Sequence, residues 1–269
     1  MYWADLHLHS RHSFDSDAKL EDICKEAIAA GLQEICLTEH IEPHHPESAC
    51  DVPPVYAEWL AEIGRMRDAY PQLEIRVGLE IGDNAPYRAE IYETLDALPL
   101  DFRLLSLHLV DGVDPFEARY YEGRSQEEAY RRYVEYKLES VLNFADYDAV
   151  AHVGYCGKFA PYPPEIRALR LHHAPDELDA LLRHIAQHGR ALEINTSGLK
   201  KTDAPIPGPD ILKRFAELGG EFVTLGSDAH VAGAAGYRFE EARQIALEAG
   251  LRWGVTYAQR KAHPYSLAK

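Results

Sequence analysis

The 269-residue chain carries fourteen histidines, and their placement points to metal chemistry. His7 and His9 are one residue apart, so on an extended strand both imidazoles project the same way and reach one ion. A lone His-x-His pair is common in soluble proteins. Here the same donor types return along the chain as Glu39-His40, Glu80, His108, His152 and Asp228-Ala229-His230. Asp15, in Ser13-Phe14-Asp15-Ser16, follows the first pair closely, although an isolated aspartate there is more often a loop or cap residue. Imidazoles and carboxylates converging from separate elements are what several divalent ions require.

The elements that must position these residues alternate between short β-rich runs and amphipathic helices. Strands are expected at 2–6, 34–38, 75–79, 102–107, 147–151, 191–194 and 222–225, from their apolar and β-branched content. Leu20, Ile23, Cys24, Ala27 and Ile28 have helical spacing, with Asp17 as the expected N-cap and Gly31 as a stop. Further helices are marked by Leu60 to Tyr70, by Ile91 and Leu95, and by Tyr130 to Leu142 behind the capping box Ser125-x-x-Glu128. The last three lie around Leu178 to Ile185, Ile211 to Leu218 and Phe239 to Ala249. Seven β-α units without a break in composition predict one closed parallel barrel over residues 1–269. The final run, Leu251 to Tyr257, has no helix after it and does not complete an eighth unit. Six of the seven predicted strands end on a histidine or carboxylate. Active sites of β/α barrels sit at those ends, whereas barrel stability does not ask for such residues there.

The net charge of −16 argues against a nucleic-acid binder, since polyphosphate contact needs a basic face. A small anionic substrate is compatible with it, because clustered divalent ions make one pocket locally positive. No apolar run is long enough to span a bilayer, and the N-terminus lacks the pattern of a signal peptide. The cysteines at 24, 36, 50 and 156 form no Cys-x-x-Cys pair. Reduced thiols and a cytoplasmic location are expected.

With these motifs in order, the chain resembles the polymerase and histidinol phosphatase (PHP) superfamily, and within it the monofunctional histidinol-phosphate phosphatases. The carrying segments include His7-Leu8-His9-Ser10, Glu34-Ile35-Cys36-Leu37-Thr38-Glu39-His40, Gly78-Leu79-Glu80 and Ala151-His152-Val153-Gly154-Tyr155. Glu193-Ile194-Asn195-Thr196-Ser197-Gly198-Leu199 and Thr224-Leu225-Gly226-Ser227-Asp228-Ala229-His230 complete them, so the likeness spans residues 2 to about 257. The resemblance implies an α/β fold, a distorted seven-stranded (β/α)7 TIM-like barrel, holding three divalent ions (Zn, Fe or Mn). It assigns His7, His9, Glu80 and Asp228 to the first ion. Glu80, shared with the second, is joined there by His108 and His152, and Asp15, His40 and His230 hold the third. Glu80, Asp228 and His230 are the implied catalytic positions. Lys158, Lys200 and Lys201 are the implied phosphate contacts, with Asn195 and Ser197, after the strand lacking a metal ligand, as further candidates.

The implied reaction is hydrolysis of L-histidinol phosphate to L-histidinol and inorganic phosphate by metal-activated hydroxide. Three dications against the carboxylates of Asp15, Glu80 and Asp228 leave roughly +3 to receive a phosphate dianion. Rival readings are a phosphoesterase for another small monoester, such as a nucleotide or phosphotyrosine, and a non-catalytic metal-stabilised module. The complete donor set speaks against the last. His184 and His188 are expected as exposed non-ligands, and His172, His173 and His263 as surface residues. His12, His44 and His45 belong to loops near the mouth, and Tyr130, Tyr133 and Tyr136 to packing.

Overall fold

The computed structural model describes residues 2–202 and 204–268. Nine strands lie side by side in chain order: β1 (Ala4–Leu8), β2 (Glu34–Ile41), β3 (Glu74–Gly82), β4 (Phe102–Ser106), β5 (Ala149–Val150), β6 (Ala191–Asn195), β7 (Phe222–Gly226), β8 (Trp253–Ala258) and β9 (Lys261–Ser266). Neighbours from β1 to β8 pair parallel, and β9 returns antiparallel on β8. Helices α1 (Leu20–Ala29), α2 (Tyr56–Ala69), α3 (Arg88–Ala97) and α4 (Gln126–Asn143) serve the first four crossings. Short α5 (Tyr155–Phe159) and α6 (Pro164–Arg167) precede α7 (Pro175–Gln187), and α8 (Pro209–Glu217) and α9 (Phe239–Ala249) complete the set. Among the described residues no helix is long and apolar enough to cross a membrane.

Parallel strands covered on both faces read as continuous apolar runs. Ile35, Cys36 and Leu37 are accordingly all fully buried. A large core joins the outer sheet face to the helices. A smaller one, with Leu6, Cys36, Leu104, Ala151, Val255 and Tyr257, fills the inside below the strand ends. The Ser125–Glu128 capping box forms as predicted, with both reciprocal bonds in place. Asp17 does not cap α1, which begins later behind Lys19, while Gly31 takes the positive φ expected of a helix stop. Leu142, expected at a core position, is exposed.

The expected closed seven-stranded barrel is not what forms. The run at 251–257 is a true strand, β8, and it pairs with the start of β7 through Phe222 and Val223. It thereby takes the side of β7 that a closed ring would offer to β1. β1 instead meets the segment after β7 only at the rim. There Leu8 bridges Ala229, the His9 N–H donates to the Ala229 carbonyl at 3.0 Å, and the Asp228 N–H donates to the His7 carbonyl at 2.9 Å. The sheet is therefore curled but open, and that rim seam brings the first and last functional motifs together.

Candidate metal centre

β1 carries its two histidines through a register shift between Asp5 and Leu8. Leu6 still belongs to the inner core while Leu8 packs outside, so the irregularity lets Leu6 and then His7 and His9 serve the interior. Both imidazoles are fully buried. Their Nε2 atoms lie 3.0 Å apart.

Glu80, in register with His40 on the neighbouring strand, is the hub. Its Oε2 lies 3.1 Å from His7 Nε2, 3.4 Å from His9 Nε2 and 3.2 Å from His40 Nδ1. Its Oε1 lies 2.7 Å from His152 Nε2 and 3.3 Å from His108 Nε2, and accepts the Ser106 hydroxyl at 2.6 Å. Four groups of side chains have donor atoms mutually within 4.8 Å: His7, Glu80 and His152; His7, His9 and Asp228; His40, Glu80 and His108; and His9, Asp15, His40 and His230. All nine ligand candidates fall within these groups. The grouping differs from the implied one in that His108 sits with His40, His152 with His7, and His9 reaches the Asp15 set.

The donor set fits divalent ions. Two buried ring nitrogens aimed at each other are costly unless a cation or proton is shared between them. Buried His40 Nε2 and His152 Nδ1 also lack a hydrogen-bond partner. Asp228 (φ 51°) and His152 (φ 21°) adopt left-handed backbone that non-glycine residues rarely hold, a strain tolerated where geometry is imposed by function.

Charge in the metal-free cluster is divided. Burial opposes a proton on His7, but Glu80, Glu193 and Asp228 overcome it and hold His7 well above the usual imidazole range. His40 is raised in the same way, against burial, chiefly by Glu80 and Asp15. His108 is pushed up to about 10 because Glu42 and Glu80 outweigh its burial. Burial, with His230 and His40 beside it, takes His9 down to about 3. Burial would raise Glu80, yet His7, His40 and His108 hold it well below the carboxylate range. Asp228 is depressed likewise, against burial, by Lys158 and His7.

Two carboxylates missed in the sequence orient this set. Glu193 accepts from His7 Nδ1 at 2.6 Å and from the His152 backbone N–H at 2.7 Å. Glu42 accepts from His108 Nδ1 at 2.6 Å. Each lies across a glycine of the adjacent strand: a Cβ at Gly226 would strike the Glu193 carboxyl, and one at Gly82 would strike Glu42. Glu39 ties the first loop down by accepting from Ser10 and Ser13. Glu193→Gln is expected to lower metal affinity or activity ~10–100-fold, the usual cost of losing a partner that orients a ligand. Gly226→Ala, which displaces the same carboxyl, should reproduce that loss in a metal-titration assay. Wild-type behaviour of both variants would remove Glu193 from this role.

A cavity of about 310 Å³ opens over the cluster, with Asp15, His40, Glu80, His108, Asp228 and His230 in its wall. That volume lies at the low end for small-molecule sites. Lys158 also lines it and donates to Asp228 Oδ2 at 2.6 Å. Asn195 and Ser197 are buried and bond that same oxygen at 3.3 and 3.0 Å, so they brace Asp228 rather than face the cavity. Lys200 is exposed, its ammonium 4.9 Å from the Tyr237 ring, and Lys201 is exposed as well.

Among the remaining histidines, His45 is buried and lines the cavity, and His12 pairs with Glu62. His44 pairs with Glu90. His173, expected at the surface, is buried against Tyr130 at 4.9 Å. His184 and His188 stack on each other at 4.0 Å away from the site, and Tyr130 and Tyr133 are core residues.

Residues 5–197, well over half of the chain, match the PHP domain family, and the chain belongs to it. The family likeness narrows at full length. The chain is 32% identical over 261 residues to the histidinol-phosphatase of Lactococcus lactis, spanning 96% of this chain and 95% of that protein. The crystal structure of histidinol phosphate phosphatase from the same organism, complexed with zinc, L-histidinol and phosphate, superposes with a TM-score of 0.90 at 31% identity, covering 97% of this chain and 98% of that one. A chain from Listeria monocytogenes shares the fold, with a TM-score of 0.75 at 21% identity over 88% of this chain and 99% of that one.

Proposed function

We propose that the protein hydrolyses L-histidinol phosphate to L-histidinol and inorganic phosphate at a centre of three divalent ions. The observation that carries the reading is the convergence of nine imidazole and carboxylate donors from six strand ends and one loop beneath a small-molecule cavity. His7, His9, Glu80 and Asp228 would hold one ion, His108 and His152 with Glu80 a second, and Asp15, His40 and His230 the third. Zinc, bound in the Lactococcus structure, suits this mixed nitrogen and oxygen set, as do iron and manganese. When bound, the ions supply Lewis acidity to the phosphoryl oxygens and to the attacking water.

The chain's own residues do the rest. Glu80, Asp228 and His230 fix the positions around which the P–O bond breaks, water adding its oxygen to phosphorus while the leaving alkoxide gains a proton. Lys158 faces the same cavity and offers a point charge to the phosphate, with Lys200 and Lys201 further out on the following loop. Asn195 and Ser197 act through Asp228. Four free cysteines, three of them buried, suit a reducing cytoplasmic setting for one catalytic domain over residues 1–269.

The test is phosphate release by the zinc- or manganese-loaded protein from histidinol phosphate, mononucleotides and an aryl phosphate. Histidinol phosphate is expected to give the highest kcat/KM. Silence on every ester would sink the enzyme reading, and preference for nucleotides would sink the substrate. Lys158→Ala is expected to lower kcat/KM ~10²-fold across esters, as loss of one aimed donor does. Unchanged kinetics would take Lys158 out of the phosphate site.

A further inference from the structure

One buried lysine stands outside the metal centre, behind the sheet that carries it. Lys137 lies on the inward face of α4 at helical spacing with Tyr130, Tyr133, Val134 and Val141, a position that suits an apolar residue. It is fully buried. Among the described residues no carboxylate pairs with it, and its one hydrogen bond goes to the Leu105 carbonyl at 3.0 Å. Burial lowers its pKa, against the pull of Glu80, Glu193 and Asp83. A lysine in such a place costs stability, because neither an unpaired charge nor a half-satisfied amine recovers the water it has lost. A position that breaks the local packing rule without an ion pair to offset it is of the kind that function retains.

The Lys137 bond falls where backbone support for the centre is thin. β5 is two residues long and pairs with β4 through Leu104 with Ala149 and Leu105 with Val150. The same Leu105 carbonyl accepts the Ala151 N–H at 2.9 Å, the rung just before the chain turns into His152 with its left-handed backbone. On the β4 side the next residue is Ser106, whose hydroxyl bonds Glu80 at 2.6 Å and lies 3.4 Å from His152 Nε2. One helical turn before Lys137, the Tyr133 hydroxyl donates to the His152 carbonyl at 3.3 Å. α4 thus reaches both strands from behind, next to a ligand on one and next to the residue that braces Glu80 on the other.

We propose that Lys137 is a positioning residue for the metal centre: its Nζ fixes the β4–β5 rung that sets where Ser106 and His152 meet Glu80, and Tyr133 steadies the His152 carbonyl beside it. This role rests on the metal-centre reading and adds the element that aims one of its ligands. Without the Lys137 donor, His152 keeps its place in the chain but loses its aim, and the ion it shares with Glu80 is held less tightly.

The experiment compares wild type with Lys137→Met, which keeps the volume and removes the donor and its charge. Three quantities are read: the thermal midpoint of the metal-free protein, zinc affinity by competition with a chelator, and the visible absorption of the cobalt-loaded protein. The midpoint is expected at or above that of wild type, since a buried group that lacked partners is replaced by an apolar one. Zinc affinity at one site should fall ~10–100-fold, and the cobalt bands should shift with the altered ligand geometry. A lysine that served the fold alone would give the opposite pattern. A lowered midpoint with wild-type zinc affinity and cobalt bands would therefore overturn the positioning role while leaving the metal centre standing. Wild-type protein that takes up neither zinc nor cobalt would sink the metal centre itself, and Lys137's part with it. Should Lys137→Met fail to fold, Tyr133→Phe decides: its zinc affinity should fall ~3–10-fold, the cost of one hydrogen bond, and wild-type affinity with unshifted bands there overturns the role.

Discussion

Glu80→Ala is expected to abolish phosphatase activity, by ~10³-fold or more, and to strip more than one ion from the protein. The expectation comes from the crowding around one carboxyl. Five imidazoles lie within 3.4 Å of its two oxygens: His7, His9 and His40 on one, His108 and His152 on the other. A ligand serving one ion would take one ion with it when removed. A carboxylate shared between neighbouring groups takes at least two, and leaves buried imidazoles without the charge that offsets them. Elemental analysis of purified variant and wild type reads this directly. A variant that keeps the wild-type metal content would refute the bridging role even if its activity were lost. Glu80→Asp serves as a control for volume, since it keeps the charge and withdraws it by one methylene.

Loading the metal-free protein at pH 7 is expected to release about three protons, and the affinity for metal should fall steeply as pH drops. The sign is set by the imidazoles. His7, His40 and His108 are raised above the usual range by the carboxylates around them, so at pH 7 each carries a proton in the metal-free chain. A ligating nitrogen must be free, so each of the three gives its proton up on loading. His9 and His152, lowered chiefly by burial, are already neutral and contribute none. Raising the pH toward the folded-state value of about 10 for His108 removes the competing proton, and acid restores it. Calorimetric titration of zinc in buffers of different ionisation enthalpy counts the protons. Release of none would show that the carboxylates do not hold these imidazoles charged.

The strand ends are legible in the sequence because parallel strands are apolar along their length, so the first polar residue after each run stands out. That is how His7, His40, Glu80, His108, His152 and Asp228 can be read together. Glu193 is hidden by the same logic. It lies inside Ala191-Leu192-Glu193-Ile194 rather than after it, in the one strand that shows no ligand at its end. A carboxylate embedded in a buried strand is itself the signal. Glu42 is masked because β2 runs on to Ile41, past the predicted end at Thr38, and the polar His- and Pro-rich stretch beyond it has the composition of a loop.

Asn195 and Ser197 have the position of substrate contacts because they come directly after a strand, but which way a side chain turns there is set by tertiary neighbours. Both turn to Asp228. β9 escapes the sequence pattern altogether, since Pro264 and its polar residues suit only a sheet edge. The open sheet has the same origin. Strand periodicity counts β-runs but does not say which two become neighbours, and so it could not foresee β8 in place of β1.

The seam where β1 meets the segment after β7 also sets the order in which the protein can come into being. His7 and His9 are synthesised about 220 residues before the Asp228 carboxylate and the backbone N–H that pins the His7 carbonyl. Closing a loop of that length costs entropy that only the finished contacts return. Until then the first two histidines have no partners from the far end of the chain, and a nascent or truncated protein lacks the full ligand set. An ion held by His7, His9 and Asp228 would tie together two segments about 220 residues apart, so that metal binding and closure of the seam would become one event.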